Sequence, residues 1–323
     1  MYFTIIIWLV SVGVIRSPSL AQSSNAATTD MVWSADYTFL ATTQLDGKVI
    51  IRNTSGEIVK TLTSKNELYT VSWSPDGKFL ATGGNSADIN IWDVSQEKIV
   101  QTIQAFSEGV YVLAWQPTAE LLLASGFDTF RAWNTTTWEP ATDSLSVTLT
   151  DMKWDHDGTK FAFSGGTVGL ATIQSGKVTV TPFDRSIVTT ANLSIDWSSN
   201  DTQIITSGGS EGTVHLWDAT TGKQIKVLLQ TDATIQNATF TNSTDTIVSA
   251  VSDKGTLYTI DLNTKQIQQT DYPGTNLLSV AWNPVEDLLA LGGTSQKDSV
   301  ITANSTKILS GSGVFEIIPL SQK

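Results

Sequence analysis

Cysteine is absent from this 323-residue chain. That excludes a disulfide framework, a thiolate nucleophile and any cysteine-based zinc site. Histidine is almost as scarce, with only His156 and His215. They stand far apart, and no serine nucleophile lies at a useful spacing from either. Cations are few and unclustered: 19 Lys and Arg face 31 Asp and Glu, a formal charge of −12. Phosphate neutralisation needs clustered cations, so nucleic acid is excluded as a partner. The glycine pairs Gly83-Gly84, Gly165-Gly166, Gly208-Gly209 and Gly292-Gly293 follow apolar strand-like runs, not the strand-to-helix junction of a phosphate loop. Asp155-His156-Asp157-Gly158 offers too few carboxylates for a calcium loop and reads as a polar turn. These absences leave no catalytic constellation, no metal site and no cofactor.

What is present is a repeat. Residues 73–93, WSPDGKFLATGGNSADINIWD, hold three short runs with strand periodicity, the first two joined by the tight turn Pro75-Asp76-Gly77. So small a sheet cannot bury its faces alone and must stack on copies of itself. Trp33, Trp73, Trp115, Trp154, Trp197, Phe240 and Trp282 recur at steps of 40, 42, 39, 43, 43 and 42 residues, each followed by a turn-like segment and a second apolar run. That spacing predicts an all-β fold: one seven-bladed β-propeller of four-stranded antiparallel blades. Recurrence at the blade period assigns the aromatic anchors to packing between sheets.

The third runs end in Trp92-Asp93 and Trp217-Asp218, with Trp133-Asn134 a near match and Arg52-Asn53, Ala171-Thr172, Ile260-Asp261 and Ala303-Asn304 in degenerate form. In these residues the chain resembles the WD-repeat family over roughly residues 28 to 312. The Gly-His pair usual in that family is missing from every unit. Its polar network of His, Asp, Ser or Thr and Trp is therefore expected not to form as usual, leaving blade stability to packing.

The resemblance implies a non-catalytic scaffold with protein contacts on one face, formed by loops entering the first strands and loops joining the second and third. On those loops it points to Tyr69, Glu108, Tyr111, Phe127, Asp128 and Tyr272. Asp46, Asp88, Asp128, Glu211, Asp253 and Asp298 recur in the second turns. Each is read as a turn holder, and together they would present an acidic ring, with Asp88, Asp128 and Asp253 the test positions, attractive to a partner with a basic surface. Trp138 breaks the aromatic period and is expected to be exposed, as a candidate partner contact or as a cap on its own blade. Two alternatives stand beside the scaffold: an enzyme or small-ligand binder using the central channel, like lactonase or quinone-dependent propellers, and a periplasmic TolB-like propeller suggested by Trp73-Ser74-Pro75-Asp76-Gly77-Lys78.

At the N-terminus, Tyr2 to Ile15 is an apolar run of 14 residues, with Ser19 and Ala21 small before Gln22. The run is too short for a stable membrane anchor. It reads as a signal peptide over residues 1–21, with the propeller at 22–323 and a secreted or periplasmic location, although no Lys or Arg precedes it. The alternative is that Phe3 to Val10 closes the ring as a strand in a cytoplasmic protein. Asn-X-Ser/Thr sequons occur at Asn53, Asn134, Asn192, Asn200, Asn237, Asn242 and Asn304, which are glycosylation candidates if the source is eukaryotic and ordinary polar residues otherwise. In blade seven, Val300 to Ala303 is expected as the third strand and Val314 to Leu320, rather than Lys307 to Leu309, as the outer one.

Overall fold

A computed structural model describes residues 27–118, 120–184, 192–208, 211–295, 306–310 and 313–320. Blade two shows how the repeat folds. Its strands Leu68–Trp73, Phe79–Gly84, Asp88–Asp93 and Lys98–Gln104 pair antiparallel in chain order. In the first turn the Ser74 hydroxyl donates to Asp76 Oδ1 at 2.7 Å and accepts the Phe79 N–H at 2.9 Å, while Gly77 takes the left-handed conformation that closes the reversal. The same grouping recurs with Ser34 and Asp36, and with Ser198 and Asn200. The residue after each anchor, Ser34, Ser74, Gln116, Asp155, Ser198, Thr241 or Asn283, is buried and polar in all seven blades.

Seven four-stranded sheets result, as the anchor spacing predicts. The first strands, Thr28–Trp33, Leu68–Trp73, Val112–Trp115, Leu149–Trp154, Asn192–Trp197, Ile235–Phe240 and Thr275–Asn283, lie next to one another around the centre. Six of them end on the anchor aromatic itself. No helix occurs among the described residues, so none is long and apolar enough to cross a membrane.

The core sits between blades. One cluster joins Ile89, Ile91 and Ile103 of blade two to Trp115, Leu122 and Trp133 of blade three, and others repeat that arrangement around the ring. Burying a Trp or Ile face this way contributes about 25 cal/mol per Å² removed from water. Polar stitches add direction to the packing. Trp73 Nε1 donates to the Val32 carbonyl at 3.2 Å, Trp154 Nε1 to Ala114 at 3.2 Å and Trp197 Nε1 to Lys153 at 2.9 Å, each acceptor lying just before the anchor of the preceding blade. The anchors therefore pack, as their period implies, and also bond from blade to blade.

The expected loss of the family's polar network is only partial. Trp92 Nε1 donates to Thr82 Oγ1 at 2.9 Å, and Trp217 Nε1 to Thr206 Oγ1 at 3.0 Å. The hydroxyl lies on the neighbouring strand, so this leg of the network needs no histidine.

Blade seven departs from the expected strand order. Its third place belongs to Gly313–Pro319 and its outer place to Thr306–Ser310, giving the order Thr275–Asn283, Leu288–Ser295, Gly313–Pro319, Thr306–Ser310. Val314 to Leu320 is thus an interior strand, not the outer one, and residues 300–303 lie outside the described residues. The reason is apolar content: Phe315 and Ile317 must be buried, and only an interior strand facing blade one buries them.

That face closes the ring. Met31, Trp33 and Leu40 pack on Ala290, Phe315 and Ile317. Trp33 Nε1 reaches the Ala281 carbonyl at 3.4 Å, and Asn283 Nδ2 donates to the Tyr37 carbonyl at 2.9 Å. Arg52 stands opposite Leu40, as Trp92 stands opposite Leu80, and lays its guanidinium 4.5 Å above the Phe315 ring. The signal segment 1–21 and the alternative closing strand Phe3 to Val10 lie outside the described residues.

Candidate functional site

Two places gather polar chemistry: the central channel and the loop face between blades two and three. In the channel, a register shift early in the inner strand is found in six blades. In four of them the side chain at that bulge accepts an amide of the next blade. Asp30 takes the N–H of Val71 at 3.1 Å, Thr70 that of Leu113 at 3.2 Å, Asp151 that of Ile195 at 2.9 Å and Ser194 that of Ala238 at 3.0 Å. Asp196, one residue before its anchor, accepts the Phe240 N–H at 3.0 Å and pairs with Lys153 Nζ at 2.7 Å. None of these was singled out by the sequence reading, although each stands at a fixed offset from its anchor.

Burial pushes the Asp30 carboxyl up to about 6, against the hydrogen bond from Val71, and the nearby Asp151 pushes in the same direction. Burial also raises Asp151, opposed by the charge of Lys153. For Lys153 burial disfavours the ammonium, but Asp196, Asp151 and Asp30 outweigh it and hold its pKa above the ordinary value. With their oxygens engaged by neighbouring amides, these carboxylates hold blades together. Among the described residues no group of three or more His, Asp and Glu is placed to hold a metal ion. His156 pairs with Asp201 of blade five at 2.7 Å, and His215 is buried between Thr213 Oγ1 at 2.9 Å and Gln224 Oε1 at 3.0 Å.

The loop face is different. Glu108, Phe127 and Asp128, three of the residues predicted as partner contacts, line one pocket of about 290 Å³ with Phe106, Ser107 and Ser144. The loop into blade three supplies Phe106, Ser107 and Glu108, and the turn between its second and third strands supplies Phe127 and Asp128. Phe106 is fixed edge-on to Trp133 at 5.6 Å, with Gly126 so close behind that a methyl group there would stand 3.0 Å from the ring. Phe127 is 40% exposed. Thr129 Oγ1 donates to Asp128 Oδ1 at 2.8 Å, orienting that carboxylate. Beside the pocket, Tyr69 and Tyr111 stack with ring centroids 5.7 Å apart across the boundary of blades two and three.

The other candidates lie elsewhere. Trp138 is not the exposed aromatic expected; its left-handed backbone turns it inward, edge-on to Trp115 at 6.0 Å. Tyr272 is buried in the core of blades six and seven, where burial and the neighbouring Glu316 raise its pKa. Tyr69 is buried as well, its hydroxyl bonded to Glu67 at 3.1 Å. Asp88 opens the third strand of blade two, and Asp253 accepts the Thr234 N–H at 3.0 Å in blade six, so the acidic turns are spread round the ring and do not converge. Asp46 also holds its turn, accepting the Lys48 N–H at 3.2 Å. Asp298 lies outside the described residues.

Of the sequons, Asn53 and Asn134 end third strands and accept turn amides through Oδ1, as the Asp of each Trp-Asp pair does. Asn200 and Asn242 hold first turns in the same way. Asn237 lies within an inner strand, Asn192 begins one, and Asn304 is outside the described residues. Ala105, Phe106, Ser107, Thr129 and Ser144 are the pocket residues sequence reasoning missed. Phe106 had a signal, an aromatic two residues before Glu108 in the same loop; Ser144 had none.

Residues 31–118 match the family described as Anaphase-promoting complex subunit 4 WD40 domain, and residues 185–218 match that described as WD domain, G-beta repeat. Anaphase-promoting complex subunit cdc20 of Dictyostelium discoideum is 26% identical over 48% of this chain and 32% of its own length. Protein FIZZY-RELATED 3 of Arabidopsis thaliana is 22% identical over 79% of this chain and 52% of its own. APC/C activator protein CDH1 of Saccharomyces cerevisiae is 23% identical over 76% of this chain and 51% of its own. The chain thus spans about a third to a half of the length of these curated relatives. With seven four-stranded blades, a third strand ending in Trp-Asp and these matches, the chain belongs to the WD-repeat β-propeller family.

Proposed function

We propose that this propeller is a non-catalytic protein-interaction scaffold that docks its partner on the loop face of blades two and three. The observation that carries the reading is the convergence of Glu108, Phe127 and Asp128 on one pocket with no Lys or Arg in its lining. An exposed ring flanked by carboxylates favours a partner with a basic surface, because charge complementarity sets approach and register. Relatives named as an anaphase-promoting complex subunit and an activator of that complex support the adaptor class. A photo-crosslinking residue at position 127 should capture a protein in the native host, and Glu108→Lys with Asp128→Lys should abolish the capture while leaving the circular dichroism spectrum unchanged. Capture that survives both charge reversals would move the site elsewhere.

Export is part of the proposal. The first described strand starts at Thr28, downstream of Ala21, so removal of residues 1–21 would leave all seven blades whole. A mature protein starting at Gln22 outside the cytosol would support it; an uncut cytosolic chain would refute it.

A further inference from the structure

We infer that the pocket between blades two and three is an arginine-side-chain receptor, taking one arginine of an extended partner segment. The inference deepens the scaffold reading and rests on it. Size comes first. Small-molecule and cofactor sites run from about 300 to 1,000 Å³, so a pocket of about 290 Å³ suits one long side chain rather than a whole cofactor.

Charge comes next. Glu108 and Asp128 stand on opposite contributing loops, and no cation shares the lining. A neutral or acidic side chain would leave both carboxylates without a complement. Shape then decides between the two basic residues. The walls include the rings of Phe106 and Phe127. A guanidinium is planar and weakly hydrated, stacks on an aromatic face and forks two N–H bonds to a carboxylate, whereas an ammonium is a compact and strongly hydrated point charge.

The receptor is also built in advance. Phe106 is held by Trp133 on one side and Gly126 on the other, and Asp128 is oriented by Thr129. Little ordering remains to be done when a side chain enters, and that favours affinity. The same chain already uses the chemistry internally, where Arg52 lies 4.5 Å over Phe315.

The test uses the full-length protein and three acetylated, amidated peptides that differ only at a central residue between small neighbours: arginine, citrulline or lysine. Binding is followed by NMR at low salt, about 50 mM, where exposed charges are least screened. The arginine peptide should bind saturably, roughly tenfold tighter than the neutral citrulline twin and a few-fold tighter than lysine. Glu108→Gln with Asp128→Asn should erase the advantage over citrulline, and Phe127→Ala the advantage over lysine. All three positions are exposed, so the fold survives. Equal binding of arginine and citrulline, or of arginine and lysine, would overturn the inference, as would an advantage that persists in the variants. The scaffold reading stands or falls separately on crosslinking at position 127: protein capture there without arginine preference sinks only the receptor.

Discussion

Asp30 of blade one accepts the backbone N–H of Val71 in blade two at 3.1 Å, so a titratable carboxyl forms one of the seams between blades. Its folded-state pKa, about 6, lies above the ordinary aspartate value of 3.8. The native state then binds this proton more tightly than the unfolded chain does. Stability is expected to rise as pH falls through about 6 towards 3.8, by at most about 3 kcal/mol and by less where channel water screens the charge. Asp151 shifts the same way, and the neighbouring carboxylates hold the Lys153 pKa above its ordinary value. Buried His215, whose pKa is lowered by desolvation, opposes this as pH falls through the histidine range, and the turn carboxylates Asp36 and Asp76, whose pKa values are also lowered, oppose it as pH falls below the carboxylate range. Urea denaturation should show a more stable protein at pH 5 than at pH 7.5. Asp30→Asn, which keeps an acceptor for Val71, should flatten most of that difference, and an unchanged pH profile in the variant would remove Asp30 as its source.

Two anchor tryptophans should respond differently to the same substitution. Trp73→Phe removes a ring N–H that bonds Val32, whereas Trp115 Nε1 is buried without a partner. Losing a made hydrogen bond costs about 1 kcal/mol, and losing an unmade one relieves a desolvation penalty. Trp73→Phe should therefore destabilise by about 1 kcal/mol more than Trp115→Phe in chemical denaturation. Equal costs would mean that packing alone sets the value of the anchors.

At the seam of blades one and seven, Arg52 and Phe315 form the contact that substitutes for a missing tryptophan. A double-mutant cycle with Arg52→Met and Phe315→Leu should give a coupling of about 0.5–2 kcal/mol. Arg52 is desolvated, its pKa lowered to about 10 by burial, so replacement by a thioether of similar length should cost less than replacement by alanine.

Truncation before Gly313 should be far more damaging than its distance from the centre suggests. That strand pairs on both sides, with Leu288–Ser295 and with Thr306–Ser310, and carries the apolar side chains that meet blade one. A loss of more than about 4 kcal/mol is expected, against well under that for Thr306→Pro at the outer edge. Comparable melting temperatures for the two variants would contradict the strand order.

Much of this architecture was legible because it repeats. Trp33, Trp73, Trp154 and Trp197 sit at one structural position in four blades, so spacing alone located the ends of their inner strands. Blade seven was misread for the opposite reason: its two last strands are both apolar, and which lies inside depends on Phe315 meeting Arg52 more than 260 residues earlier in the chain. Trp138 was read as exposed from its place in a turn, but the positive φ at that residue aims the ring at Trp115, and no period carries that information. The pocket was half legible. Glu108, Phe127 and Asp128 follow from their loops, and Phe106 shares the loop of Glu108, while Ser144 joins them only where the chain leading to the outer strand of blade three folds against those loops.

The closure of blade one on blade seven bears on the order of folding. Within a repeat, partners lie some 40 residues apart or less, but Trp33 and Ala281 are separated by 248. Closing the longer loop costs roughly 1.6 kcal/mol more in chain entropy than closing the shorter one. Individual blades and their neighbour pairs can therefore assemble first, with the joining of the two ends of the array left as the slow, late event. By the same accounting, the boundary that forms last is the one through which the ring first breathes, and its amides would be the first of the inner strands to exchange with solvent.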